Sequence, residues 1–190
     1  MNVCSADLHV HTALSPCADT AMTPPAIVAA ALAAGLDMIA VCDHNSARNA
    51  AAVQEAAGER LAVLAGMEIT TLEECHVVGL FPDARTAETA AEEVGSALPP
   101  VDPDYEAFFG VQLVCDADGR ESDRERRALA MATPFTVDAV VDLVHRHRGL
   151  AVAAHIDRRS FGVIGQLGFF PADAGFDAVE LSRHVPPDST

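Results

Sequence analysis

The sequence predicts an α/β protein whose strands form a parallel sheet or a barrel. Two observations carry this. Short apolar runs without polar alternation, as strands covered on both faces require, alternate with helical patterns that have clear ends. Histidines and carboxylates then collect just after those runs, which is where α/β barrels place their active sites.

Taken in order, the first strand ends in Asp7-Leu8-His9-Val10-His11. Thr23 caps the first helix, with Pro24 and Pro25 in its opening turn and Gly35 beyond its end. Leu36 to Cys42 is a buried strand, followed by an alanine-rich helix over Ser46 to Ala57. Leu61 to Gly66 and Val77 to Phe81 are further strands, and Ala84 to Ser96 is a helix. A helix from Thr136 to Gly149 precedes strands at Leu150 to Ala154 and Ala178 to Leu181. Residues 97–133 break the rhythm with Pro99, Pro100 and Pro103, a hairpin near Asp116 to Gly119 and a charge run from Glu121 to Arg127. This stretch reads as an insertion or lid within one domain over residues 1–190, or as a solvated excursion.

Composition excludes several classes. Twelve basic residues oppose 28 acidic ones, a formal net charge of −16, which argues against general adhesion to DNA or anionic membrane. All the basic residues are arginine. A P-loop lysine, a Schiff-base lysine and a carbamylated metal-bridging lysine are therefore ruled out. Cysteines 4, 17, 42, 75 and 115 are odd in number and contain no CxxC, as expected of a reducing cytosol. There is no signal pattern and no apolar run near the roughly 18 residues of a membrane span, so a soluble, cytoplasmic protein is expected.

The chemistry-bearing residues follow the strands. Residues i and i+2 of a strand share a side, so His9 and His11 can grip one metal together. Asp7 on the same side can hold an imidazole N–H. Asp43-His44-Asn45 follows the second strand; a capping role suits Asn45 but leaves His44 as a ligand. Glu68 follows the third strand and can bridge two metals. His76 begins a strand, and His155 in Ala154-His155-Ile156-Asp157 ends another, with Arg158 and Arg159 next. The arginines can hold an anion by bidentate contacts. His145 and His147 lie in the last turn of a helix, a favourable place for surface cations.

Together these residues resemble the PHP (polymerase and histidinol phosphatase) family, from about residue 5 to 184. Its Asp-Leu-His-x-His motif is matched by Asp7 to His11, its Asp-His by Asp43 and His44, and its glutamate by Glu68. Its later single histidines are matched by His76 and His155. The resemblance implies a distorted (β/α)7, TIM-like barrel holding two or three divalent metals, zinc, manganese or iron. It implies that His9, His11 and Glu68 bind the first metal and Glu68, His76 and His155 the second, with His44 at a third. Cys17 and Asp19 stand where the family has another third-metal ligand. The family's last strand, with Asp-x-His, has no counterpart, so about six barrel strands are expected and the barrel is incomplete.

The reading that follows is a metal-dependent phosphoesterase, in which a metal-bridging hydroxide attacks phosphorus. The expected substrate is a small phosphomonoester or short diester. Arg158 and Arg183 are the expected phosphate contacts, Asp7 and Asp43 support the ligands, and no general acid is assigned. From the charge, no nucleic-acid polymer and no membrane are expected as partners. A homo-oligomer or a swapped segment is expected to close the open seam. Two other readings remain: a non-catalytic metal- or partner-binding module, and an amidohydrolase with Glu68 in place of the lysine.

Overall fold

The computed structural model describes residues 3–182. In chain order β1 (Ala6–Val10) leads through α1 (Pro24–Ala33) to β2 (Met38–Val41), and α2 (Ala50–Ala57) leads to β3 (Ala62–Thr70). Then come β4 (His76–Phe81), α3 (Ala84–Gly95), α4 (Pro103–Phe109), and the hairpin of β5 (Leu113–Cys115) and β6 (Glu121–Arg124). The chain closes with α5 (Val137–Arg146), β7 (Leu150–Ala153), α6 (Val163–Leu167) and β8 (Ala178–Val179). Six strands form one sheet in the order β1-β2-β3-β4-β7-β8, curled as a half-barrel, in agreement with the incomplete barrel expected.

One strand departs from the parallel expectation. β4 runs antiparallel to both β3 and β7. Only Thr71 to Cys75 separates β3 from β4, enough for a hairpin but far short of the dozen or so residues of a parallel crossover. The reversal has a functional consequence. β4 begins at the edge where β1, β3 and β7 end, so His76, its first residue, joins the strand-end cluster.

The two faces of the sheet differ. α1, α2, α3 and α5 pack one face, where Ile27, Val28, Val53, Val94, Val140 and Val144 meet Ile39, Val41, Met67, Ile69 and Val77. Alternate residues Ala40, Cys42 and Val78 form a smaller cluster on the other face. Glu68, between Met67 and Ile69, points to that inner face. Strand backbones approach closely there: a β-carbon on Gly66 would lie 2.8 Å from the Gly79 carbonyl oxygen and 2.9 Å from Cys42 Sγ.

α2 starts at Ala50, later than the sequence pattern suggests, because its polar approach residues are otherwise engaged. Asn49 Nδ2 donates to the Leu113 carbonyl and Asn49 Oδ1 accepts from the Cys115 N–H. Asn45 Nδ2 donates to the carbonyls of Leu129 and Met131. Both asparagines thus tie residues 97–133 to the strand ends instead of capping a helix. Among the described residues β1 and β8 are the edges of the sheet, and a side-chain hydrogen bond between His9 and Glu180 spans them.

Candidate metal centre

Five imidazoles converge on one buried carboxylate. Glu68 Oε1 lies 3.3 Å from His9 Nε2, 2.8 Å from His76 Nδ1 and 3.1 Å from His155 Nε2. Glu68 Oε2 lies 3.3 Å from His11 Nε2 and 3.2 Å from His44 Nδ1. β1 supplies His9, the bend after it His11, and the ends of β2 and β7 supply His44 and His155. Three overlapping groups bring donor atoms within 4.8 Å of one another: His9, His11 and Glu68; His44, Glu68 and His76; and His11, Cys17 and His44.

The surroundings preset the tautomers. A carboxylate can only accept, so the 2.8 Å contact of His9 Nδ1 with Glu180 Oε2 fixes a proton on Nδ1 and leaves Nε2, which faces Glu68, as the nitrogen a cation would take in place of a proton. A second relay acts on His11. Ser15 Oγ donates to Asp43 Oδ1 at 2.7 Å, and therefore accepts from His11 Nδ1–H at 3.0 Å. His11 Nε2 is again left facing the centre.

A divalent cation fits this arrangement. One carboxylate has about four lone-pair sites and cannot satisfy five rings at once. His155 Nε2 makes a hydrogen bond to it, whereas buried His9 Nε2, His44 Nδ1 and His76 Nδ1, which also face it, have no hydrogen-bond partner among the described residues. Orphaned buried nitrogens are costly unless something binds them, and imidazole with carboxylate is a donor set for zinc, iron and manganese.

The electrostatics point the same way. Burial works against charge on His9, but the hydrogen bond to Glu180 and the nearby Glu68 carboxylate outweigh it and raise the imidazole to about 10. Burial dominates at His44 and, with neighbouring histidines opposing a charge, lowers it to about 3. Burial also opposes ionisation of Glu68, yet its histidine hydrogen bonds hold the carboxyl well below the usual range. The centre therefore carries a fixed negative charge with proton sites that a cation can replace.

Asp43 is fully buried, and burial pushes its carboxyl up. It accepts from Thr12 N–H, Thr12 Oγ and Ser15 Oγ, each at 2.7 Å. It thereby ties the turn after β1 to the end of β2 and orients His11 through Ser15. Asp7 Oδ1 accepts the backbone N–H of its neighbour His9, and the imidazole contact expected of Asp7 is made by Glu180. Cys17 is exposed yet stands with His11 and His44; withdrawal from water and the Glu68 charge push its thiol up to about 11. Asp19 Oδ1 accepts from the Ala21 N–H and belongs to none of the three donor groups. Arg158 lies exposed on the turn after β7, whereas Arg183 falls outside the described residues.

Sequence reasoning overlooked Glu180, Ser15 and Thr12. Glu180 carries the same signal as Glu68, a carboxylate closing an apolar run, but nothing local shows that it meets His9, 171 positions away.

A family model described as PHP domain matches residues 7–163. No curated protein matches the sequence. Three solved structures resemble the fold. A candidate metal-dependent phosphoesterase from Bifidobacterium adolescentis shares 21% identity at a TM-score of 0.62, covering 94% of this chain and 77% of its own. The lesion-specific endonuclease Q of Pyrococcus furiosus shares 16% at 0.69, covering 97% of this chain and 43% of its own. An amidohydrolase from Chromobacterium violaceum, solved with sulfate and no metal, shares 18% at 0.57, covering 92% and 76%. The endonuclease corrects the expectation that net charge rules out a nucleic-acid polymer, because this fold also serves an enzyme that acts on DNA lesions. The physical reason is that attraction for phosphate is local: cations and arginines at one cleft act at short range, and distant surface carboxylates are screened.

Proposed function

The chain belongs to the PHP domain family, and on that footing we propose that it is a metal-dependent hydrolase of phosphate esters, with a small phosphomonoester or short diester as substrate. One observation carries the reading: five imidazole nitrogens within 2.8 to 3.3 Å of the Glu68 carboxylate, three of them buried and without a hydrogen-bond partner.

His9, His11 and Glu68 would hold one ion, Glu68, His76 and His155 a second, and His44 with Cys17 a third, with Asp19 left aside. Bound there, divalent ions of zinc, manganese or iron supply Lewis acidity and a water of lowered pKa. The chain's own groups do the rest. Glu180 and the Asp43–Ser15 pair fix which imidazole nitrogens are free. Arg158, and Arg183 beyond the described residues, would orient the ester's oxygens. Residues 97–133, tied to the strand ends by Asn45 and Asn49, would be an insertion beside the centre. Asp43, with three donors satisfied, acts as an anchor and not as a proton donor.

The test is hydrolysis of nucleoside monophosphates, sugar phosphates, a chromogenic phosphate ester and an oligonucleotide with added Mn²⁺ or Zn²⁺. Activity towards at least one ester is expected, falling at least about a thousandfold in Glu68→Ala and His11→Ala. Activity that survives both substitutions would sink the reading.

A further inference from the structure

Phe161 is a large apolar side chain left 42% exposed beside the centre. Its ring stacks on the imidazole of His76, with centroids 4.5 Å apart and planes 14° from parallel. Its carbonyl oxygen accepts the His76 backbone N–H at 2.9 Å. One face of the ring is therefore spent on a residue of the centre while part of the side chain stays open to solvent.

The backbone holds this ring where it would not settle unaided. Phe161 has φ of 62°, a left-handed conformation that a bulky residue adopts only under constraint. His155, at the other end of the same turn, has φ of 29°. The constraint is visible next door. A β-carbon on Gly162 would lie 2.4 Å from the Arg158 carbonyl oxygen and 2.8 Å from that of His155. One on Gly165 would lie 2.5 Å from the Arg159 carbonyl oxygen. The two glycines let the turn fold down on the start of α6, and the turn then presents Phe161 over His76. Strain held at a site by its surroundings points to a use for the strained residue.

From this geometry we infer that Phe161 is a stacking platform for a nucleobase, so that the ester bound at the Glu68 centre is a nucleotide. An exposed ring face suits any base, because every base has a π-face. Arg158 and Arg159, on the same turn, sit within two or three residues of the platform, as a ligand with a planar ring joined to a phosphate requires. The inference rests on the hydrolase reading only for the chemistry that follows binding.

The chain contains no tryptophan, so Phe161→Trp installs a single fluorescent reporter at the platform. Titrating the Mn²⁺-loaded variant with adenosine monophosphate is expected to quench that fluorescence, and inorganic phosphate is expected to leave it unchanged. In parallel, Phe161→Leu is expected to lower the preference for adenosine monophosphate over glycerol 3-phosphate, as a ratio of kcat/KM, about tenfold. Equal quenching by both probes, or an unmoved ratio, would overturn the inference. Quenching by the nucleotide in a protein that hydrolyses no ester would support the platform and reject the hydrolase. Hydrolysis of glycerol 3-phosphate without any nucleotide quenching would reject the platform and leave the hydrolase standing.

Discussion

Glu180 shows how much a single contact decides at this centre. By accepting a hydrogen bond from His9 Nδ1–H it leaves Nε2 to a cation, and partners of this kind are commonly worth 10- to 100-fold in metal affinity. Glu180→Gln is therefore expected to weaken Zn²⁺ binding by about that factor in a competition titration against a chromophoric chelator. Unchanged affinity would show that His9 is oriented by something else. The members of the cluster were legible: His9, His11, His44, Glu68 and His155 each sit at or just after an apolar run, and strand periodicity pairs His9 with His11. Glu180 was not, because its strand is only two residues long and its partner lies at the opposite end of the chain. Phe161 was not, because a lone aromatic in a turn carries no periodic signal.

At the scale of elements, the close approach of β2, β3 and β4 sets the geometry of the inner face. Gly66 and Gly79 let the backbones come together beside Cys42. Gly66→Ala would force backbone against the Gly79 carbonyl and is expected to cost about 1–3 kcal/mol. For a chain of this length that lowers Tm by about 2–4 °C per kcal/mol, as thermal unfolding followed by circular dichroism would register. An unchanged Tm would mean that the strands can slide apart without loss. The existence of the six sheet strands was readable from the sequence, and α1 from its end residues. The direction of β4 was not read, although the short Thr71 to Cys75 link encodes it. The delayed start of α2 was unreadable, because the bonds from Asn45 and Asn49 reach residues 64 to 86 positions away.

For the whole molecule, the net charge of −16 does not exclude a nucleic-acid partner, whereas the titration of two buried histidines gives a sharper expectation. In metal-free protein, His44 titrates at about 3 and His9 at about 10, against 6.5 for an ordinary imidazole. As pH falls from 6.5 towards 3 the unfolded chain takes a proton that folded His44 refuses, so stability drops. The stabilisation from protonated His9 is fully present below 6.5 and is lost as pH rises through about 10. Chelator-treated protein is thus expected to show its highest Tm near pH 6.5, and metal loading should remove the alkaline decline by replacing the proton on His9. A Tm that climbs steadily to pH 10 in the stripped protein would contradict this. The metal content of the chain bears most directly on what the histidine cluster is for. Stripped protein re-equilibrated with Mn²⁺ or Zn²⁺, desalted and submitted to elemental analysis is expected to retain about two or three ions per chain, and less than about one after Glu68→Ala. Wild-type protein that retains less than about one ion per chain would contradict a multi-metal hydrolytic centre.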